Sequence, residues 1–151
     1  MKIKDYLSQE TVLIGLEAGS SEEVIRILGE KMRDLGYVKN DFIQAALERE
    51  RSMPTGLPLG GIYNAAIPHV DIEYVRKSAL GLATLKDPVL FFDMCENEKE
   101  VPCQLVIMLA LDKPKSQIEM LQSVAVFLQS PDLIQEIMNA ESADELLDML
   151  P

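Results

Sequence analysis

Cys103-Gln104-Leu105-Val106-Ile107-Met108-Leu109-Ala110-Leu111 is apolar at nearly every position. Strands with one wet face alternate apolar and polar residues, so an unbroken apolar run of this length predicts a strand covered on both faces. Such a strand belongs at the centre of its sheet, with helices above and below. Upstream, Ser78–Leu85 and Val89–Phe92 are also strand-like, separated by Lys86-Asp87-Pro88, which reads as a turn. Ala65–Ile67 is a short apolar run that Pro68 ends. Near the start, Leu7, Val12, Leu13, Ile14 and Leu16 suggest a lead-in segment and a short strand, closed by Glu17-Ala18-Gly19-Ser20.

Helices fill the remaining stretches. Ser20 with Glu23 forms a capping box, Val24, Ile27, Leu28 and Leu35 recur at helical spacing, and Gly36 supplies a left-handed stop. Asn40 reads as the N-cap of a second helix carrying Phe42, Ala45, Ala46 and Leu47 and running to Glu50 or Arg51. After the apolar strand, Pro114 opens a helix with Ile118, Leu121, Val124, Ala125 and Leu128 on one face. Ser130-Pro131 is an N-cap and N1 pair before Leu133, Ile134 and Ile137, and Ser142 with Glu145 is a further capping box before Leu146, Leu147 and Leu150. The expected fold is α+β in α/β/α layers, a small mixed β-sheet with helices on both faces, in the order β-α-α-β-β-β-α-α-α. At 151 residues, with no repeat or linker, the chain reads as one domain, 1–151.

Composition narrows the chemistry. A net charge of −11 opposes nucleic-acid binding, which depends on basic patches that displace counterions, and opposes anionic membrane surfaces. The same acidity keeps a protein soluble and suits a basic partner. No apolar stretch reaches the roughly 18–20 residues of a membrane span, and Met1-Lys2-Ile3-Lys4-Asp5 lacks a signal-peptide core, so a cytosolic location is expected. Cys95 and Cys103 form no CxxC pattern and, with a single histidine, complete no usual zinc set. Both read as reduced, packed thiols, and no cofactor or metal is implied.

That single histidine is His69, in Asn64-Ala65-Ala66-Ile67-Pro68-His69-Val70-Asp71. Any proton or nucleophilic chemistry through an imidazole therefore falls to it. Pro68 ends the strand just before the ring, which places His69 at a strand tip, where reactive side chains are displayed. Residue type alone leaves a packed, hydrogen-bonded histidine equally open. Ahead of it runs Ser52-Met53-Pro54-Thr55-Gly56-Leu57-Pro58-Leu59-Gly60-Gly61, a loop with two prolines and three glycines, preceded by Arg49-Glu50-Arg51. No GxSxG, P-loop or GxGxxG pattern is present, and none of the 25 acidic residues stands out as a glycosidase pair. What remains is a largely neutral imidazole with a free lone pair, able to attack phosphorus, and arginines able to hold phosphoryl oxygens.

Taken in order, Arg49-Glu50, Pro54-Thr55-Gly56-Leu57, Ala66-Ile67-Pro68-His69, Lys86-Asp87-Pro88-Val89, the strand to Leu111 and the helix near Gln117-Ile118-Glu119-Met120-Leu121 span nearly the whole chain. This series resembles the fructose/mannitol-type enzyme IIA domain of the bacterial sugar phosphotransferase system. The resemblance implies that His69 accepts a phosphoryl group from the phosphohistidine of the carrier HPr, on the ring nitrogen farther from the backbone. It implies onward transfer to a sugar-specific IIB component, and through it service to a membrane IIC permease, with Arg49 beside the phosphorylated ring. The chain departs from the fructose and mannitol forms in a longer loop between Thr55-Gly56 and His69, and in Gln117 where those forms often carry a second histidine. Both features are similar to the galactitol-type branch, whose IIB uses a cysteine, and point to galactitol or a related polyol or sugar.

On this reading Gln117 donates a hydrogen bond to the phosphoryl group, and one ionisation on this protein, that of His69, governs phosphorylation. Thr55 either contacts the phosphoryl group or shapes the turn before Gly56. Arg51, Arg76 and Lys77 either reach the phosphoryl group or form a rim that meets a partner. A regulatory domain signalling by its phosphorylation state, and a non-catalytic binding module of the same fold, are the alternatives.

Overall fold

The computed structural model describes all residues, Met1–Pro151. After a 3₁₀ turn at Ile3–Tyr6, the elements run β1 (Val12–Leu16), α1 (Ser21–Asp34), α2 (Phe42–Ser52), β2 (Gly56–Pro58), β3 (Asn64–Ala66), a 3₁₀ turn at Ile72–Tyr74, β4 (Ala79–Phe92), β5 (Glu100–Ala110), α3 (Pro114–Leu128), α4 (Pro131–Met138) and α5 (Ala143–Met149). The five strands form one mixed sheet in the order β1-β4-β5-β3-β2. β5 is its middle strand, antiparallel to β4 and parallel to β3.

Both faces of β5 are covered, which explains its unbroken apolar sequence. Val106, Met108 and Ala110 enter a core with α1 and α2, which contribute Val24, Leu28, Met32 and Phe42. Leu105, Ile107 and Leu109 enter a second core with Met120, Val124, Ile134, Ile137 and Leu146 of the C-terminal helices. The layered α/β/α expectation therefore holds. The element order differs from it by one short strand, because the Gly/Pro loop contains β2, which pairs antiparallel with β3.

Lys86-Asp87-Pro88 is not a turn between two strands but lies inside β4. Both halves pair with β5, and the register shifts between Thr84↔Leu105 and Val89↔Cys103. The irregularity also swaps faces: Leu105 points into the second core, whereas Cys103 and Val101 point into the first. Pro88 is tolerated because the pairing of β1 with β4 ends at Leu16↔Leu85, so this segment is a sheet edge with no ladder donor to lose.

The helix ends follow the sequence with three adjustments. Ser20 and Ser142 cap α1 and α5, each accepting from the N–H three residues on at 3.1 Å. The reciprocal glutamates bond one residue earlier than in the standard box, Glu23 to the Gly19 N–H and Glu145 to the Glu141 N–H. Gly36 takes φ 85°, the left-handed stop. In α2 the N-cap is Asp41 rather than Asn40, without a side-chain cap, and the helix extends to Ser52. Ser130 stands at the N-cap of α4 but makes no capping bond, leaving Pro131 as the start signal. No helix is long and apolar enough to cross a membrane.

Candidate functional site

The C-terminal end of β3 runs on past Pro68, whose carbonyl accepts the Leu109 N–H at 2.9 Å, and His69 bridges to Leu109. His69 thus continues the β3 track along β5 and is half-buried at its end. Facing it is the last turn of α2, carrying Arg49 and Glu50. The two meet in a cleft of about 750 Å³ lined by Arg49, Met53, Thr55, His69, Met94 and Leu121, among others.

A carbonyl oxygen only accepts, so the His69 Nδ1···Ile67 O distance of 2.8 Å assigns the ring proton to Nδ1. The lone pair is then on Nε2, which stands 3.5 Å from Nη2 of Arg49, a group that only donates. Both neighbours select one tautomer. Burial is the main cause that pulls the His69 pKa below 6.5; the Ile67 carbonyl opposes it, Arg49 reinforces it and Asp71 opposes it. The imidazole is therefore neutral at neutral pH.

Arg49 is held loosely by anions. Its Nη1 lies 3.6 Å from Oδ1 of the exposed Asp71, and its Nε is buried with no hydrogen-bond partner. The cleft thus contains a cation with an unused donor beside a nucleophilic nitrogen.

The wall behind them is a chain of bonds. Glu50 accepts from the Thr55 N–H through Oε2 and from the Thr55 hydroxyl through Oε1, both at 2.8 Å. The Thr55 carbonyl accepts the Ile67 N–H at 3.2 Å, and the Ile67 carbonyl accepts from the His69 ring. Burial raises the Glu50 pKa, opposed by both Thr55 bonds and by Arg49. At the next residue, the Cβ of any side chain at Gly56 would lie 2.5 Å from the Phe92 carbonyl oxygen. Glycine there lets the end of β4 close on the loop, with the Met94 N–H donating to Gly56 O at 2.9 Å.

Of the residues singled out in the sequence, His69, Arg49 and Thr55 come together in the cleft. Thr55 is buried and its hydroxyl proton is directed at Glu50. Gln117 is half-buried on α3, one turn before Leu121 and outside the cleft lining. Arg51 lines a separate hollow with Glu50 and Phe92, and Arg76 and Lys77 are exposed away from the cleft. Cys103 is buried and pushed up to about 12, first by burial and then by Glu50, so it remains a thiol. Cys95 is not packed as expected but exposed on the cleft rim, because the β4–β5 connection folds over the loop through Gly56. No group of three or more His, Cys, Asp and Glu side chains is placed to hold a metal ion.

Sequence reasoning missed Asp71, Glu50 as an anchor, and the Met94–Asn97 segment. Asp71, two residues beyond the only histidine, offered a signal; the Met94–Asn97 segment offered none, since its approach depends on the sheet.

Residues 5–151 match the model of a family described as the phosphoenolpyruvate-dependent sugar phosphotransferase system, EIIA 2. The chain is similar to the galactitol-specific EIIA component of the PTS system of Escherichia coli strain K12, 29% identical over 123 residues covering 82% of this chain and 81% of that protein. It is 29% identical over 147 residues to the mannitol-specific EIICBA component of the same strain, covering 95% of this chain and 22% of that protein. This chain therefore spans about a fifth of the length of such mannitol-specific relatives. Among solved structures, it is similar to the enzyme IIA of the complex of Escherichia coli IIAMTL with phosphorylated IIBMTL. There the TM-score is 0.77 at 28% identity, with 95% of each chain covered.

Proposed function

The chain belongs to the phosphoenolpyruvate-dependent sugar phosphotransferase system EIIA 2 family, and on that premise we propose that it is a cytoplasmic phosphocarrier, one domain over 1–151, with His69 Nε2 as the phosphoryl acceptor. The observation that carries this reading is the ring tautomer: Nδ1 is committed to the Ile67 carbonyl, leaving the Nε2 lone pair facing Arg49 in an open cleft. The donor is the phosphohistidine of HPr. The Nε2 lone pair forms the new N–P bond in line as the donor's N–P bond breaks and its electron pair returns to the donor ring. Arg49 stabilises the phosphoryl oxygens throughout, the positioning and charge work on which phosphoryl transfer depends. Thr55 acts behind the ring, through Glu50 and Ile67. Gln117 lies on α3 one turn before the cleft residue Leu121, and the role assigned to it is that of an amide donor to the phosphoryl group whose charge does not change with pH.

The phosphoryl group then passes to a IIB component, through its cysteine, in uptake of galactitol or a related polyol by a membrane IIC permease. The likeness to a galactitol-specific EIIA that is similar in length, and the glutamine at 117, support that specificity. A IIB partner is supported by the solved complex of a similar IIA with phosphorylated IIB.

The experiment is a transfer assay with phosphoenolpyruvate, enzyme I and HPr. The expected result is one acid-labile label per chain, absent in His69→Ala, that moves to a galactitol-type IIB in preference to a mannitol-type one. Label that no IIB accepts would turn the reading to a regulatory domain. No label on the wild-type protein would leave only a binding module.

A further inference from the structure

We propose that Asp71 is a resident anion that holds Arg49 while His69 is unmodified, gives Arg49 up to the phosphoryl group, and thereby keeps the phosphorylated state high in transfer potential. The inference deepens the carrier reading above and rests on it. Asp71 stands at the N-cap of the 3₁₀ turn at Ile72–Tyr74, where an aspartate ordinarily accepts from the following backbone N–H groups; it makes no such bond. Its carboxylate instead lies 3.6 Å from Arg49 Nη1, and its side chain is 71% exposed. An ion pair this long and this wet is weak, which is what a displaceable ligand requires. Arg49 Nη2 is already 3.5 Å from the nitrogen that receives phosphorus, and Arg49 Nε is a buried donor with nothing to bind. A phosphoryl group on Nε2 brings about two negative charges and several acceptor oxygens to that guanidinium.

Two consequences share one sign. Before transfer, Asp71 occupies part of Arg49 and lowers its availability to an incoming phosphate. After transfer, the displaced carboxylate is a like charge beside the phosphoryl group and raises its energy. Asp71 is thus a positioning residue acting through Arg49. The other ionisable groups near the ring are Glu50 on the same helix turn, tied to Thr55, and the Cys95 thiol on the β4–β5 connection.

The test compares the wild-type protein with Asp71→Asn and Asp71→Glu. Because Asp71 is exposed, both variants are expected to fold. Equilibrium phosphorylation from a phosphohistidine donor should favour the phosphorylated form about tenfold more in Asp71→Asn, as for one like charge removed near the surface, and Asp71→Glu should restore the wild-type constant. His69, the only histidine, gives an unambiguous imidazole NMR titration, and Asp71→Asn should lower its pKa. An unchanged phosphorylation constant in Asp71→Asn, with wild-type protein normally labelled, overturns the inference and leaves the carrier reading standing. If wild-type protein takes no label, inorganic phosphate is titrated against the His69 signals. Tighter phosphate binding by Asp71→Asn then supports the exchange at Arg49, and equal binding overturns it.

Discussion

A neutral imidazole has one donor and one acceptor nitrogen, and at His69 the Ile67 carbonyl decides which is which. On the proposed carrier role, the same bond would hold the proton on Nδ1 once Nε2 carries phosphorus and so make the ring positive, a good leaving group for onward transfer. Burial lowers the pKa of this ring, so the nucleophilic form survives to lower pH than for a free histidine. Phosphorylation of the wild-type protein should follow one ionisation on this chain, with an apparent pKa below 6.5 that coincides with the NMR titration of His69. A profile needing two ionisations on this chain counts against the assignment. Arg49→Gln should separate two roles of the guanidinium. It raises the His69 pKa, because a repelling cation is gone, yet slows phosphorylation about 10²–10³-fold, because a preorganised donor to the transferring group is gone. The stability linkage has its own sign. A depressed histidine pKa means that the unfolded chain binds more protons in that window. The contribution of His69 is present above 6.5 and is lost as pH falls through the folded pKa. Glu50 runs the other way, since its raised pKa contributes below 4.5 and that contribution is lost as pH rises through the folded value.

Between α2 and β3, four residues form one bonded path: Glu50 to Thr55, Thr55 to Ile67, Ile67 to His69. The path explains why a helix end and a strand end, joined by a loop rich in glycine and proline, keep a fixed distance. Thr55→Val preserves shape and the backbone N–H but removes the hydroxyl, leaving Glu50 Oε1 without its partner. Losing a hydrogen bond to a half-buried carboxylate costs about 1–3 kcal/mol, to be read as a lower denaturant midpoint at unchanged m-value. Phosphorylation should slow with it, since the ring's support shifts. If stability is unchanged, Thr55 is not the anchor described here. At this scale the sequence was partly legible. Ser20-Glu23, Ser142-Glu145, Gly36 and Pro114 marked helix ends because capping and φ > 0 are local requirements. Lys86-Asp87-Pro88 looked like a turn because its residues favour turns anywhere; only pairing of both flanks with β5 makes it an irregularity within a strand. Gly56 looked like another loop glycine, and its necessity comes from the Phe92 carbonyl, far along the chain.

The two cores share β5, with Ile107 and Met108 adjacent in sequence and fully buried on opposite faces. Truncating either to alanine should cost about 2–5 kcal/mol, the range for large-to-small changes at buried sites. Because one sheet links the two layers, Ile107→Ala and Met108→Ala should each lower the midpoint of a single calorimetric transition. A variant that splits the transition in two would show that the helical layers unfold independently. The net charge of −11 acts at the same scale, favouring approach of a basic partner at low ionic strength and fading as salt screens it.

By itself the sequence determined the layered sheet, most of the helix ends and the identity of the one imidazole. Each follows from residue type and short-range periodicity: an apolar run at β5, caps at fixed offsets, a single histidine behind a proline. Only the tertiary structure decided which ring nitrogen is free, that Thr55 serves Glu50, that Cys95 lies on the rim, and that Asp71 shares Arg49 with the acceptor nitrogen. Those facts are distances between groups on separate elements, set by how α2, β3 and the end of β4 pack against one another, and no local pattern encodes a distance of that kind.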